Sequence, residues 1–143
     1  MVINFFEGKY RFLSNFYSCW IPYEGITYPT SEHAYQAAKT LDVEQRKHVS
    51  NLDTPGKAKR AGRDLTLRSD WEQVKETVMY DILKIKYSNP ILREKLLETG
   101  DAYLIEGNRW CDVCWGICYC SKHNGVGSNL LGKLLMKVRS ELF

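Results

Sequence analysis

The 143-residue sequence predicts a mainly helical fold opened by a small β-hairpin. Three observations predict it. Aromatic and β-branched residues crowd two short segments before residue 29, as pleated strands require. Capped apolar stripes at helical spacing recur after residue 69. No internal repeat, low-complexity stretch or Pro/Gly/Ser linker divides the chain, so residues 1–143 read as one unit, with 44% hydrophobic residues to fill one core.

The elements follow in order. Phe16 to Ile21 and Gly25 to Tyr28, separated by Pro22-Tyr23-Glu24-Gly25, form the hairpin. Pro29-Thr30 punctuates the start of a helix capped by Thr30 or Ser31 and running to about Leu41. A weaker helix covers Pro55 to Asp64. Ser69 with Glu72 three residues later reads as a capping box ahead of Trp71, Val74, Val78, Ile82 and Ile85. Asn89-Pro90 places a cap and a first-turn proline before Leu92, Leu96 and Leu97, and Gly100 stops that helix. Ala102 to Ile105 reads as a short strand, and Leu131, Leu134, Leu135, Val138 and Leu142 form the apolar face of a last helix after Asn129. Glu106 to Ser128 is a long aromatic-rich loop, a length usually reserved for function.

Charge and cysteine usage narrow the function classes. Twenty Lys plus Arg against seventeen Asp plus Glu give +3, too little for a protein that coats nucleic acid through its phosphates. A phosphate-bearing small molecule, or one nucleotide of a longer strand, fits better, because two or three placed cations suffice to hold it. No apolar run reaches the roughly 20 residues of a membrane span, and Met1-Val2-Ile3-Asn4 opens no signal peptide, so a cytoplasmic protein without membrane partners is expected. Five cysteines, four of them clustered and Cys19 remote, fit reduced thiols better than a disulfide framework.

Three groups of residues carry candidate chemistry. On the helix from Thr30, Ala34, Ala37, Ala38 and Leu41 share one face, and Glu32, Gln36 and Lys39 share the opposite one. That second face is either a solvated polar stripe or, if loops cover it, a general acid or base with two substrate contacts beside it. Cys111, Cys114, Cys118, Cys120 and His123 supply enough soft donors for zinc, but zinc motifs usually present two well-separated pairs, so free thiols are expected here. Trp110 and Trp115 flank Asp112, placing flat rings near a carboxylate, while Trp71 serves either a site or the core. Arg60, Arg63 and Arg68 with Lys57 and Lys59 form either a solvated basic run or a phosphate fork, and Gly125-Val126-Gly127 before the last helix suggests a weak anion cradle. No P-loop, dinucleotide fingerprint, nucleophile elbow or His-x-x-x-His pair is present.

Taken in order, Phe12-Leu13-Ser14-Asn15-Phe16, Tyr28-Pro29-Thr30-Ser31-Glu32-His33-Ala34-Tyr35-Gln36-Ala37-Ala38-Lys39, Ala61-Gly62-Arg63-Asp64, Trp71-x3-Lys75-x3-Met79, Trp115-Gly116 and Gly127-x-Asn129-x2-Gly132 resemble the YbiA-like, or NADAR, family over nearly the whole chain. The resemblance implies a compact α+β, mainly helical domain and N-glycosidase activity, on ribosylaminopyrimidine phosphates of riboflavin biosynthesis or on ADP-ribosylated guanine. Both substrates bond ribose C1 to an exocyclic amine of a heterocycle. The resemblance further implies Glu32, Lys39 and Asp112 as the catalytic group, with Ser31, His33, Gln36, Arg63, Trp71, Trp115, Gly116 and Asn129 contacting substrate, and it implies neither metal nor cofactor. Two routes are open: water activated by Glu32, or ring opening followed by a Schiff base on Lys39. A non-catalytic module that binds ADP-ribose or a nucleotide, and a zinc-held interaction surface, are the competing readings. The family more often carries an aromatic where Ala34 stands and lacks the cysteine cluster.

Overall fold

The structure is a computed structural model and describes residues 1–142. Its elements group into two compact units, one built from Asn15–Ser88 and the other from Met1–Ser14 together with the segment from Asn89 onward.

The Asn15–Ser88 unit opens with strands β1, Ser18–Tyr23, and β2, Ile26–Thr30, paired antiparallel. Glu24 and Gly25 both take left-handed backbone angles, φ 48° and 87°, the two-residue turn whose twist matches that of the flanking strands. The turn is thus shorter than the sequence suggested, and Pro22 and Tyr23 belong to the strand; proline is tolerated because the sheet has only two strands and Pro22 needs no donor toward solvent. Ile21, Tyr23 and Tyr28 point into the core.

Helix α1, Ser31–Ala37, starts where expected: Thr30 is extended and its hydroxyl accepts from the His33 amide at 3.1 Å. It stops short of Leu41. Lys39 and Thr40 donate to Gln36 and Ala37 carbonyls in a tightened last turn, and Asp42 caps the next helix through the Gln45 amide, leaving Leu41 exposed. That next helix, α2 (Val43–Ser50), carries few apolar positions and left no stripe to read. α3, Pro55–Ala61, continues as a 3₁₀ turn over Gly62–Asp64, matching the expected span.

Helix α4 runs from Trp71 to Lys86 and buries Trp71, Val78, Met79, Ile82 and Leu83. The expected capping box is not formed. Asp70 holds the cap position, but its carboxylate is taken by the Arg68 guanidinium at 2.6 and 3.1 Å, and Glu72 pairs instead with Lys75 at 2.8 Å.

In the second unit, β3 (Val2–Asn4) lies parallel to β4 (Tyr103–Ile105), with Ile3 opposite Leu104 and both buried. A 3₁₀ turn, Gly8–Leu13, buries Phe12 and Leu13. Helix α5, Pro90–Glu98, takes the cap expected of Asn89, whose Oδ1 accepts from Ile91 and Leu92 amides. Helix α6, Leu130–Ser140, turns Leu131, Leu135 and Val138 inward and packs on β4. The long loop before it contains two short strands, β5 (Gly107–Asn108) and β6 (Ile117–Cys118), which pair in parallel. The result is the mainly helical α+β fold expected, with each small sheet confined to two strands. Among the described residues, no helix is long and apolar enough to cross a membrane.

Candidate active site

The polar face of α1 is not solvated. Glu32 and Gln36 are 8% and 4% exposed, Ser31 and His33 are fully buried, and only Lys39 stays half open. A burial of this kind on a face carrying a carboxylate costs free energy unless each polar atom is answered, and most are. Gln36 Nε2 donates to Glu32 Oε1 at 2.7 Å, one helical turn away. The Glu32 amide donates to the Asn15 carbonyl at 3.0 Å, which fixes the start of the helix against the segment before the hairpin. Gln36 Oε1 and Ser31 Oγ are the exceptions: both are buried without a hydrogen-bond partner.

Gln36 is held from the far side by Gly62. A Cβ at that glycine would come within 2.8 Å of Gln36 Cδ and closer still to Oε1, so the absence of a side chain there makes the space the amide occupies.

Lys39 stands one further turn along. Its ammonium lies 5.7 Å from the centre of the Tyr35 ring, and Tyr35 in turn packs on Trp71 with ring centres 5.2 Å apart and planes tilted by 56°. Burial pushes the Lys39 pKa down, the Glu32 carboxylate opposes that, and the positive charges of Arg63, Lys59 and Lys75 push it down further. Lys39 therefore feels one carboxylate from α1 and three further cations, from α3, its 3₁₀ extension and α4. Lys59 was legible only as part of a basic run. Lys75 entered only through the Trp71-x3-Lys75-x3-Met79 motif of the resemblance, with no role assigned, and lies one turn after Trp71 on the same side of α4.

His33 serves the frame. Its Nε2 lies 2.9 Å from the Leu52 carbonyl, which only accepts, so Nε2 carries the proton and Nδ1 accepts from the Thr30 hydroxyl at 2.7 Å. Both ring nitrogens are thus engaged within the chain, and burial holds the imidazole pKa below its ordinary value.

The other unit gathers Asp112, Trp115, Gly116 and Asn129. Asp112 Oδ1 accepts from the Cys114 and Trp115 amides at 3.1 and 2.9 Å, and Asn108 ties the same turn together, its Oδ1 accepting from the Trp110 and Asp112 amides. Trp115 is half-buried and Trp110 is exposed. Gly116 is buried with the Glu106 carbonyl and Asn108 Nδ2 where a Cβ would stand, so it lets the loop pack closely on that backbone. Asn129, in the left-handed region at φ 52°, spends its whole amide on backbone: Nδ2 donates to Leu104 and Oδ1 accepts from Glu106.

The anion cradle expected at Gly125–Gly127 is not formed by the start of α6. The amides of Ser128, Asn129, Leu130 and Leu131 are consumed by the carbonyls of Val113, Gly116, Cys114 and Trp115. The loop itself caps the helix, so the first amides of α6 are spent within the chain.

Comparison with known proteins places the chain in a family. A family model described as the NADAR domain matches residues 4–143. The N-glycosidase YbiA of Escherichia coli (strain K12) is 40% identical over 146 residues, covering 99% of this chain and 88% of that protein. An N-glycosidase of Nostoc punctiforme is 37% identical, covering 99% of this chain and 93% of that protein. A riboflavin biosynthesis protein of Vibrio vulnificus is 38% identical over 98% of this chain but only 38% of its own length. Among solved structures, the NMR structure of the E. coli protein YbiA superposes with a TM-score of 0.83 at 40% identity, covering 99% of this chain and 84% of that one. With the match continuous from residue 4 and the fold shared, this chain belongs to the NADAR domain family.

Proposed function

We propose that Glu32 is the carboxylate with which this N-glycosidase cleaves the C–N bond between ribose C1 and an exocyclic amine of a heterocycle, in a substrate that carries phosphate on the ribose. The observation that carries the reading is a buried carboxylate, oriented by the Gln36 amide at 2.7 Å, whose charge acts on the neighbouring Lys39. Cleavage of this bond builds positive charge on C1, and an anion held at one position stabilises it while accepting a proton from the attacking water. The water oxygen bonds to C1 and keeps one hydrogen as the new hydroxyl, the C–N bond breaks, and the proton taken up by Glu32 passes to the departing nitrogen, so the heterocycle leaves as its free amine and the carboxylate is regenerated. Arg63 binds phosphate, and Trp71 with Tyr35 forms an aromatic wall behind Lys39.

The substrate is a ribosylaminopyrimidine phosphate or an ADP-ribosylated guanine, with the single-nucleotide scale favoured by the mild net charge of +3. The Vibrio relative bears a riboflavin biosynthesis name, which supports the first. A second mechanism has its own observation. Lys39 is the side chain whose pKa is lowered beside Glu32, as a Schiff-base lysine requires.

The test is product detection by mass spectrometry after incubating wild type and Glu32→Gln with each substrate in turn. Release by wild type and not by Glu32→Gln supports the reading, and the substrate released chooses the heterocycle. Borohydride trapping that adds the sugar mass to Lys39 selects the lysine route. No release of either product, with saturable ADP-ribose binding, makes the protein a binding module instead.

A further inference from the structure

The cysteine-rich loop of the second unit brings together a group that the glycosidase reading leaves unused. Cys111, Cys118, Cys120 and His123 place one donor atom each within 4.8 Å of all the others. Cys111 Sγ lies 3.9 Å from Cys120 Sγ, and Cys120 Sγ lies 3.2 Å from His123 Nδ1. A tetrahedral zinc with bonds of about 2.3 Å to sulfur and about 2.0 Å to nitrogen has S···S edges near 3.8 Å and S···N edges near 3.5 Å. The observed separations bracket those edges.

The backbone is arranged around the same point. Cys118 is fully buried at the end of β6, and its Sγ accepts from the amides of Cys111 and Cys120 at 3.3 and 3.5 Å. Amide donors aimed at a sulfur stabilise it as thiolate and fix its direction. The turn after Cys120 is closed by the His123 and Asn124 amides on the Cys120 carbonyl, which returns the imidazole to the cysteine three residues earlier. Cys111 is held at φ 69°, a left-handed angle that a non-glycine residue adopts at a cost. Cys114, the remaining cysteine of the loop, is outside the group; its amide is bonded to Asp112.

The geometry points to a structural zinc site formed by Cys111, Cys118, Cys120 and His123. Three thiolates and one neutral imidazole form a closed four-donor set with no position left for substrate, and that set suits zinc above harder ions. On binding, the three thiols release three protons to solvent, so a dication in the site leaves a net charge of −1. The sequence spacing argued against a metal because the motif is read as pairs. The parallel pairing of β5 with β6 and the bridge from Cys118 to Val126 fold the single run back on itself, so three sulfurs meet without a second pair.

The experiment uses the full chain, reduced and stripped with chelator, titrated with Co²⁺ and Zn²⁺. Co²⁺ is expected to give the ligand-field bands of tetrahedral coordination and a sulfur-to-metal charge-transfer band, both saturating at about one equivalent and displaced by zinc. Zinc is expected to protect the accessible Cys111 and Cys120 from thiol reagent, mapped by peptide mass, while Cys19 and Cys114 still react. Cys118→Ser and His123→Ala are expected to weaken binding at least tenfold, and Cys114→Ser to leave it unchanged. Wild-type protein that shows no tetrahedral cobalt spectrum overturns the proposal, as does equal thiol reactivity with and without zinc, or a Cys111–Cys120 disulfide that survives reductant. None of these readouts depends on substrate turnover.

Discussion

Gly62→Ala is the substitution whose effect the structure determines most sharply, because its sign depends on one other side chain. Gly62 has ordinary negative φ at the end of α3, where alanine by itself would stabilise the protein by about 0.5–1 kcal/mol through the unfolded state. Gln36 reverses this. The new methyl would meet the buried Gln36 amide, 2.8 Å from Cδ, and the side chain, only 4% exposed, has little free space to enter. Overpacking of that order costs about 1–3 kcal/mol, and if the amide turns away, the 2.7 Å bond to Glu32 is lost as well. The expectation is therefore a net destabilisation of about 1–2 kcal/mol in wild type and a stabilisation of about 0.5 kcal/mol in a Gln36→Ala background. Urea melts of the four proteins of this double-mutant cycle measure it, and the same cycle in kcat/KM should show about a tenfold loss from Gly62→Ala only where Gln36 is present. Additive effects on stability, with the same sign in both backgrounds, would refute the coupling and with it the view that Gly62 makes room for the amide that orients Glu32.

Other expectations follow from the same geometry. Glu32→Gln should lower kcat by about 10²–10⁴-fold with little change in Tm, since the amide keeps the volume and an acceptor for Gln36; near-normal turnover would remove Glu32 from the chemistry. His33 has its pKa lowered by burial, so between the folded value and the usual 6.5 the unfolded chain binds more protons and stability falls as pH drops through that window. His33→Asn should flatten this acid limb in urea midpoints measured from pH 7 down to 5, and an unchanged slope would assign it to other groups. Asn129→Gly should cost about 2–4 kcal/mol by stranding the Leu104 carbonyl and Glu106 amide. Asn129→Ala should cost about 1 kcal/mol more because of the left-handed backbone; Ala equal to Gly would contradict that. Asp112→Asn retains the acceptor for the Cys114 and Trp115 amides, so circular dichroism should be unchanged and any loss of kcat reports on the charge alone.

Local signals were legible where one residue does one thing. Thr30 and Asn89 announced their helices because a cap needs only its own side chain and two amides ahead of it. Ser69 failed for the opposite reason: the neighbouring Asp70 is drawn to Arg68, and a competing ion pair cannot be seen in a four-residue pattern. The 3.6-residue period placed Glu32, Gln36 and Lys39 on one face, but whether that face is wet depends on Asn15, Gly62 and Trp71, which arrive from outside the helix. The glycines before α6 suggested an anion cradle because their sequence is permissive. Carbonyls from Val113 to Gly116, more than ten residues upstream, had already taken the donors.

The division of the chain has a consequence for how it is made. One compact unit is drawn from a single stretch, Asn15–Ser88, whereas the other joins Met1–Ser14 to residues beyond Asn89. During synthesis the first stretch can close on itself while the ribosome is still working, but Val2–Asn4 must wait for Tyr103–Ile105 before its strand has a partner. If the intervening segment has already collapsed, the loop that must close is far shorter in effective length, and its entropy cost grows only with the logarithm of that length. The early fold of the carboxylate-bearing unit thereby shortens the closure that the late one still has to make.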